Sequence, residues 1–327
     1  MLNRREAMAL GLAATSTLIA GEASAQAFPD RAINLIVMAP AGGSTDVGAR
    51  VVASIGEKLL GHPIVVVNKA GAGGQVGWTE LARAKPDGYT IGFVVLPGMN
   101  TQVLDPDRKA IFTTDSFVPM VNQVLDPGML WVRADSPYKT FADLMAAAKE
   151  KPGTIRAATT GILSDDHLAI LMTEEAFPGA NFRIVHLDGN AAQLKETLGG
   201  NVDVAFDNVG GAIKPVKAGQ ARALVVTDKV RSKFLPDVPT TVELGYPTII
   251  SSSTRGIVAP KGTPKEAIAK LTEVLSKAMA DPEHNNRLEE QGLTVRVMVG
   301  DEYLKYYNDA HETAKKYTEW AKARPVK

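Results

Sequence analysis

Apolar positions along the chain alternate between runs of strand type and runs at helical spacing. Residues 33–38 (INLIVM) carry the pattern of a buried strand, rich in β-branched side chains. A glycine-rich turn follows, Ala39-Pro40-Ala41-Gly42-Gly43-Ser44-Thr45-Asp46, and apolar residues then recur at helical spacing over 47–60. The unit repeats. A strand is predicted at 63–67 (PIVVV), a second glycine turn at Gly71-Ala72-Gly73-Gly74, and a helix through 78–84. The turn signal Pro86-Asp87-Gly88 precedes a third strand at 90–96 (TIGFVVL). This βαβαβ order predicts a parallel sheet with helices on both faces.

A second unit of the same kind follows. Strands are predicted at 130–132, 155–158, 182–186, 202–206 and 223–226, with helices at 141–149, 167–175 and 193–198, the first capped by Thr140. From 264 onward the pattern is helical, over 264–279, 283–291 and 301–323. One continuous sheet accommodates these segments poorly. Two lobes fit better, with the chain crossing near 122–126 and returning near 251–256. The expected division is a leader at 1–25, a first lobe of 26–124 and 251–327, and a second lobe of 125–250. Ligands of open α/β sheets sit at the carboxyl ends of the strands, so both lobes would line one cleft.

The 327-residue length agrees with two domains. A formal net charge of +0 argues against nucleic acid as a partner. The absence of cysteine excludes disulfides, thiolate nucleophiles and cysteine metal sites. The N-terminus reads as a signal peptide: Arg4 and Arg5, a short apolar run over 7–21, and Ala23-Ser24-Ala25, with cleavage expected before Gln26. The run is shorter than the roughly 20 residues a membrane-spanning helix requires. Arg4-Arg5-Glu6 is similar to a twin-arginine signal, but Met8 and Ala9 stand where a bulky pair is usual, so the export route stays open. A soluble, exported chain is expected.

No catalytic constellation is visible. There is no Gly-x-Ser-x-Gly elbow, no His-Glu-x-x-His and no Walker loop. His62, His167, His186, His284 and His311 lack metal-ligand spacing. An enzyme is therefore not expected, and neither is a metal or a cofactor. The run Gly71-Ala72-Gly73-Gly74-Gln75-Val76-Gly77 has the look of a dinucleotide turn, yet it follows the second strand and no Tyr-x-x-x-Lys pair accompanies it. Two glycine turns before helices bare backbone N–H groups at positive helix ends, which suits an anion. Asp46 reads as a cap or structural partner, because its charge would repel a carboxylate.

These residues resemble the substrate-binding proteins of tripartite tricarboxylate transporters, the Bug receptors. The likeness runs through Phe28-Pro29, Pro40-Ala41-Gly42-Gly43-x-Thr45-Asp46, Arg50, Val67-Asn68-Lys69-Ala70-Gly71-Ala72-Gly73-Gly74 and Ala84-Lys85-Pro86-Asp87-Gly88-Tyr89-Thr90. It continues in Gly219-Gln220-Ala221-Arg222-Ala223-Leu224, Leu235-Pro236-Asp237-Val238-Pro239-Thr240, Glu243-x-Gly245-Tyr246 and Ala259-Pro260-x-Gly262-Thr263-Pro264. The resemblance implies an α/β fold of two lobes, type II-like among periplasmic binding proteins, that closes on a small carboxylate. Dicarboxylates, tricarboxylates, amino acids and aromatic acids are the ligand classes it implies.

It also implies delivery to a transporter with integral membrane subunits, a periplasmic location and a monomeric receptor. A sensor subunit that presents ligand to a signalling kinase is the alternative. The first two loops, with Ala41, Gly42, Gly43, Thr45, Gly73 and Gly74, are expected to hold one carboxylate; Pro97 is grouped with them. Ser164 and Asp165, Gly189 and Asn190, and Asp207 and Asn208 occupy the second lobe's ligand-side loops. The stretch Thr159-Thr160-Gly161-Ile162-Leu163-Ser164-Asp165-Asp166-His167 departs from the glycine–serine-rich family pattern. Its acids suit a ligand with a positive or hydrogen-donating group, or cap the helix. Arg255 stands near a position where the family often has tryptophan. It is expected either to grip a second carboxylate, to pair with an acid across the lobes, or to stand in solvent.

Overall fold

The structure is a computed structural model that describes residues 28–323. The expected leader and its cleavage point at Ala25/Gln26 lie outside the described residues. The strands are β1 (Ile33–Val37), β2 (Ile64–Asn68), β3 (Thr90–Leu96), β4 (Phe117–Arg133), β5 (Arg156–Thr159), β6 (Arg183–His186), β7 (Val204–Asn208), β8 (Ala221–Thr227), β9 (Ser252–Pro260) and β10 (Val295–Val299). The helices are α1 (Ser44–Leu60), α2 (Gln75–Arg83), α3 (Gly98–Leu104), α4 (Phe141–Glu150), α5 (Asp165–Ala176), α6 (Gly189–Leu198), α7 (Val209–Lys217), α8 (Lys265–Met279), α9 (Pro282–Glu289) and α10 (Gly300–Ala323).

Parallel pairing joins β1 to β2 and β3, and β5 to β6 and β7. The expected parallel units are therefore present, but each is completed by antiparallel strands. β3 pairs with β9, β9 with β4, and β4 with β10, β7 and β8, all antiparallel. The segment read as a short strand at 130–132 is the end of the 17-residue β4. Its first part pairs with β9 as far as Pro127↔Ser252; from Gly128 onward it pairs with β7 and β8. Gly128 marks the switch. A Cβ there would overlap the Thr227 hydroxyl and come within 3.1 Å of the Ser251 carbonyl, so only glycine lets three chain segments meet.

β10 was not anticipated. Val295-Arg296-Val297-Met298-Val299 does alternate apolar and polar at its start, the period of a half-buried strand, between two strongly helical segments. It hydrogen-bonds along β4 as the edge of the first sheet section.

Apolar side chains cluster on both sections. Leu35, Phe93, Trp78, Leu271 and Met279 belong to one core, and Leu130, Leu144, Ile170, Phe206 and Val225 to another. The 24-residue α10 is about 36 Å long and reaches from one to the other. Tyr307 packs in the first core, whereas Ala314 and Tyr317 pack in the second. The far part of α10 thus packs against the second core, because buried positions 303, 307, 314 and 317 keep one helix face apolar along its length. Among the described residues no helix is long and apolar enough to cross a membrane.

Gly256, on β9 between Val94 and Asn122, faces Tyr303, whose hydroxyl is buried without a hydrogen-bond partner among the described residues. A Cβ at 256 would overlap that hydroxyl. Gly256→Ala is expected to cost about 1–3 kcal/mol by overpacking. Tyr303→Phe should restore part of the loss in the double variant. Strict additivity in chemical denaturation would refute the contact.

Candidate functional site

The first glycine loop is organised by Asp46. Its carboxylate is 2 % exposed and accepts from Gly42 N at 2.8 Å, Arg50 Nε at 3.0 Å and Asn68 Nδ2 at 2.9 Å. Asp46 is therefore a structural partner that ties the loop after β1 to the end of β2. The second loop turns through positive φ at Gly71, Gly73 and Gly74 (136°, 66° and 101°). A Cβ at Gly74 would lie 2.8 Å from the Trp78 ring. Glycine at 74 is thus demanded by the turn and by packing, and a valine there would break the loop rather than test a site. Gly43 is different. It has ordinary φ (−72°), and a Cβ there would meet only the Pro40 carbonyl at 3.4 Å.

A cleft of about 490 Å³ lies between the two sheet sections. Of the expected residues, Gly43, Asn190, Asp207, Asn208 and Arg255 line it. Ser44, Asp126, Thr160, Lys214 and Gln291 line it too and were not singled out. Asp126 carried a readable signal, since it ends the crossover segment opposite the return segment that holds Arg255. Lys214 and Gln291 carried none; they arrive from the last turns of α7 and the loop after α9.

Ala41, Gly42, Thr45, Gly73, Gly74 and Gly189 belong to the loops but not to this cleft lining. Ser164 caps α5 by accepting from His167 N at 3.3 Å. Asp165 accepts from Asn208 Nδ2 at 2.8 Å, and Ser251 Oγ donates to its carbonyl at 3.0 Å. Pro97 lines a different cavity of about 540 Å³, with Leu125, Ser252 and Tyr306. Leu125 and Asp126 point to opposite faces of β4, so the two cavities flank the β4–β9 ribbon.

The cleft is rich in buried carboxylates. Asp207 is 4 % exposed and fully engaged: Trp131 Nε1 donates at 3.1 Å, Asn190 Nδ2 at 3.1 Å to each oxygen, and Asn208 N at 2.7 Å. Asp126 accepts from Gly210 N at 3.0 Å through Oδ1. Burial pushes Asp126 up to about 6 and Asp207 up to about 7, and it raises Asp165 and Asp166 as well. Burial also lowers Arg255, against the pull of Asp126 and Asp165. Arg255 Nε and Nη1 are buried without a hydrogen-bond partner among the described residues. Burial lowers His167 to about 4, and its Nδ1 accepts from Leu163 N at 3.0 Å, a structural role. Among the described residues no group of histidines and carboxylates is arranged to hold a metal ion.

A cleft between two α/β sections, entered by loops at the carboxyl ends of their strands, defines a solute-binding receptor of two lobes. The sequence profile of the tripartite tricarboxylate transporter family receptor matches residues 48–321, and the chain belongs to that family. BugT of Bordetella pertussis is 31% identical over 328 residues, covering 94% of this chain and 97% of its own. A TctC solute-binding protein from Polaromonas, solved without ligand, superposes with a TM-score of 0.77 at 30% identity, over 90% of this chain and 99% of that one. MatC from Rhodopseudomonas palustris, solved with bound malate, superposes with a TM-score of 0.73 at 26% identity, over 89% of this chain and 99% of its own. Members of the family are periplasmic solute-binding receptors and not enzymes.

Asp126 makes stability depend on pH. Its folded pKa of about 6 exceeds the ordinary 3.8, so the folded state holds its proton longer than the unfolded chain does. Its contribution is fully present below the unfolded value and is lost as pH rises from about 4 to about 6, by roughly 2–3 kcal/mol. Asp126→Asn is expected to flatten this part of the unliganded protein's urea-unfolding profile. Parallel profiles for the two proteins would show that Asp126 is not the group responsible.

Proposed function

We propose that this receptor captures a small carboxylate between a first lobe of 26–124 and 251–327 and a second of 125–250. It would then hand its ligand to the integral membrane subunits of a tripartite tricarboxylate transporter. The observation that carries the ligand class is Arg255. A guanidinium with buried, unpartnered Nε and Nη1 faces a cavity between the sections, and such donors are costly unless a ligand or water satisfies them. A carboxylate suits it best, because the planar fork can donate two parallel hydrogen bonds. Gly43 and Ser44 bring the start of α1 to the same cavity, adding backbone donors at the positive end of a helix. Malate bound to MatC supports a carboxylate as the ligand class. The receptor acts as a monomer, and the transport reading is favoured over presentation to a kinase by family membership.

The test is a thermal-shift screen of the chain from Gln26 against mono-, di- and tricarboxylates, amino acids and aromatic acids. A ligand at about 100 times its Kd should stabilise by roughly 2.7 kcal/mol. Binding should also reduce the radius of gyration in solution scattering, with a monomer mass throughout. Gly43→Val should abolish the shift while the fold persists, given the room at that position. Arg255→Lys should weaken every carboxylate that shifts the wild type by about tenfold or more. Unchanged affinity in both variants would remove the cleft from ligand binding.

Export is checked separately. N-terminal sequencing of the chain from a periplasmic fraction should begin at or near Gln26. An unprocessed chain confined to the cytosol would reject the leader.

A further inference from the structure

The lining of the cleft sets two acids against two bases. Asp126 and Asp207 line it beside Arg255 and Lys214, and Asp165 acts on Arg255 from behind. A second carboxylate on the ligand would enter between acids already held in a low-dielectric site, and like charges there repel strongly. The acids are not equivalent. Both oxygens of Asp207 are saturated by Trp131, Asn190 and Asn208, and one oxygen of Asp165 is taken by Asn208.

Asp126 is 1 % exposed, and Gly210 N occupies only its Oδ1. Its Oδ2 accepts no hydrogen bond among the described residues. Glycine at 210 makes that placement possible, since a Cβ would lie 2.7 Å from Oδ2. Register puts Asp126 beside Ser253, two residues from Arg255 on the same ribbon face. Their charges act on each other, yet Arg255 forms no ion pair among the described residues. An open acceptor and an open guanidinium thus stand side by side without closing on each other.

We infer that the ligand is a zwitterion, an α-amino acid whose carboxylate meets the Arg255 guanidinium and whose ammonium group donates to Asp126 Oδ2. This deepens the receptor reading and rests on it. The ammonium meets the open Asp126 Oδ2, while the carboxylate meets the unpartnered donors of Arg255. A dicarboxylate satisfies only the second. Lys214, also in the lining, remains free to meet a polar side chain of the amino acid.

The experiment is calorimetric titration of the chain from Gln26, near neutral pH, with the standard L-amino acids and their deaminated carboxylates as pairs. L-aspartate is matched with succinate, L-glutamate with glutarate, and L-leucine with 4-methylpentanoate. In the binding pair the amino acid should be about tenfold or more tighter than its deaminated partner. In Asp126→Asn, which keeps the Oδ1 acceptor for Gly210, that ratio should collapse towards one. A deaminated acid that binds as tightly as its amino counterpart overturns the zwitterion and leaves the carboxylate receptor standing. Silence from every carboxylate of both kinds overturns the receptor reading itself. The wild-type pairs decide the question even if Asp126→Asn does not fold.

Discussion

One strand belongs to two sheets, and the rest of the molecule is arranged around that fact. β4 gives its first part to β9 and β10 and its second part to β7 and β8. The exchange occurs over Asp126-Pro127-Gly128. Proline has no N–H to contribute to a ladder, and Gly128 leaves room for the Thr227 hydroxyl while its N–H donates to the Ser251 carbonyl at 2.8 Å. A ribbon of two antiparallel strands is narrow enough to leave cavities on both faces. It is also continuous enough to fix the side chains that alternate along it. Asp126 and Arg255 owe their common cavity to this register, and Leu125 and Ser252 face the other cavity by the same alternation.

Burying charge at such a place is unfavourable. Asp126, Asp165, Asp207 and Arg255 sit together where desolvation raises the carboxyl pKa values and lowers that of the guanidinium. A stability-optimised core would replace such a group with apolar residues. Here most of the acids are tied down by Asn190, Asn208, Trp131 and the start of α7. Among the described residues those bonds leave Asp126 Oδ2 and two nitrogens of Arg255 open, the groups to which the proposed ligand is assigned.

The parallel strands and their helices were legible because period and turn chemistry agree locally. INLIVM, PIVVV and TIGFVVL are short apolar runs closed by glycine or proline signals. The antiparallel completion was less legible, since nothing in the 17 residues of β4 announces a strand that changes partners midway. β10 was hidden between helices, although its alternation was there to read. Within the cleft, Asn190, Asp207, Asn208 and Arg255 were reached through loops that follow strands or cross between lobes. Lys214 and Gln291 were not, because helix rotation and loop packing decide where they point, and neither leaves a trace in a local pattern.

Glycine is the plainest signal in this sequence, and it stands for three different physical demands. Gly74 needs a positive φ and room for Trp78, so it serves the loop. Gly128, Gly210 and Gly256 admit another segment's atoms, so they serve the ribbon and what packs on it. Gly43 is required by neither its φ nor its neighbours, and it alone of the glycines expected in the two loops lines the cleft. The loops that carry the family likeness therefore mostly hold the first lobe in shape. In the receptor proposed above, discrimination between ligands would fall to side chains on the crossover and on the second section, such as Arg255 and Asp126, where one substitution changes charge without disturbing a turn.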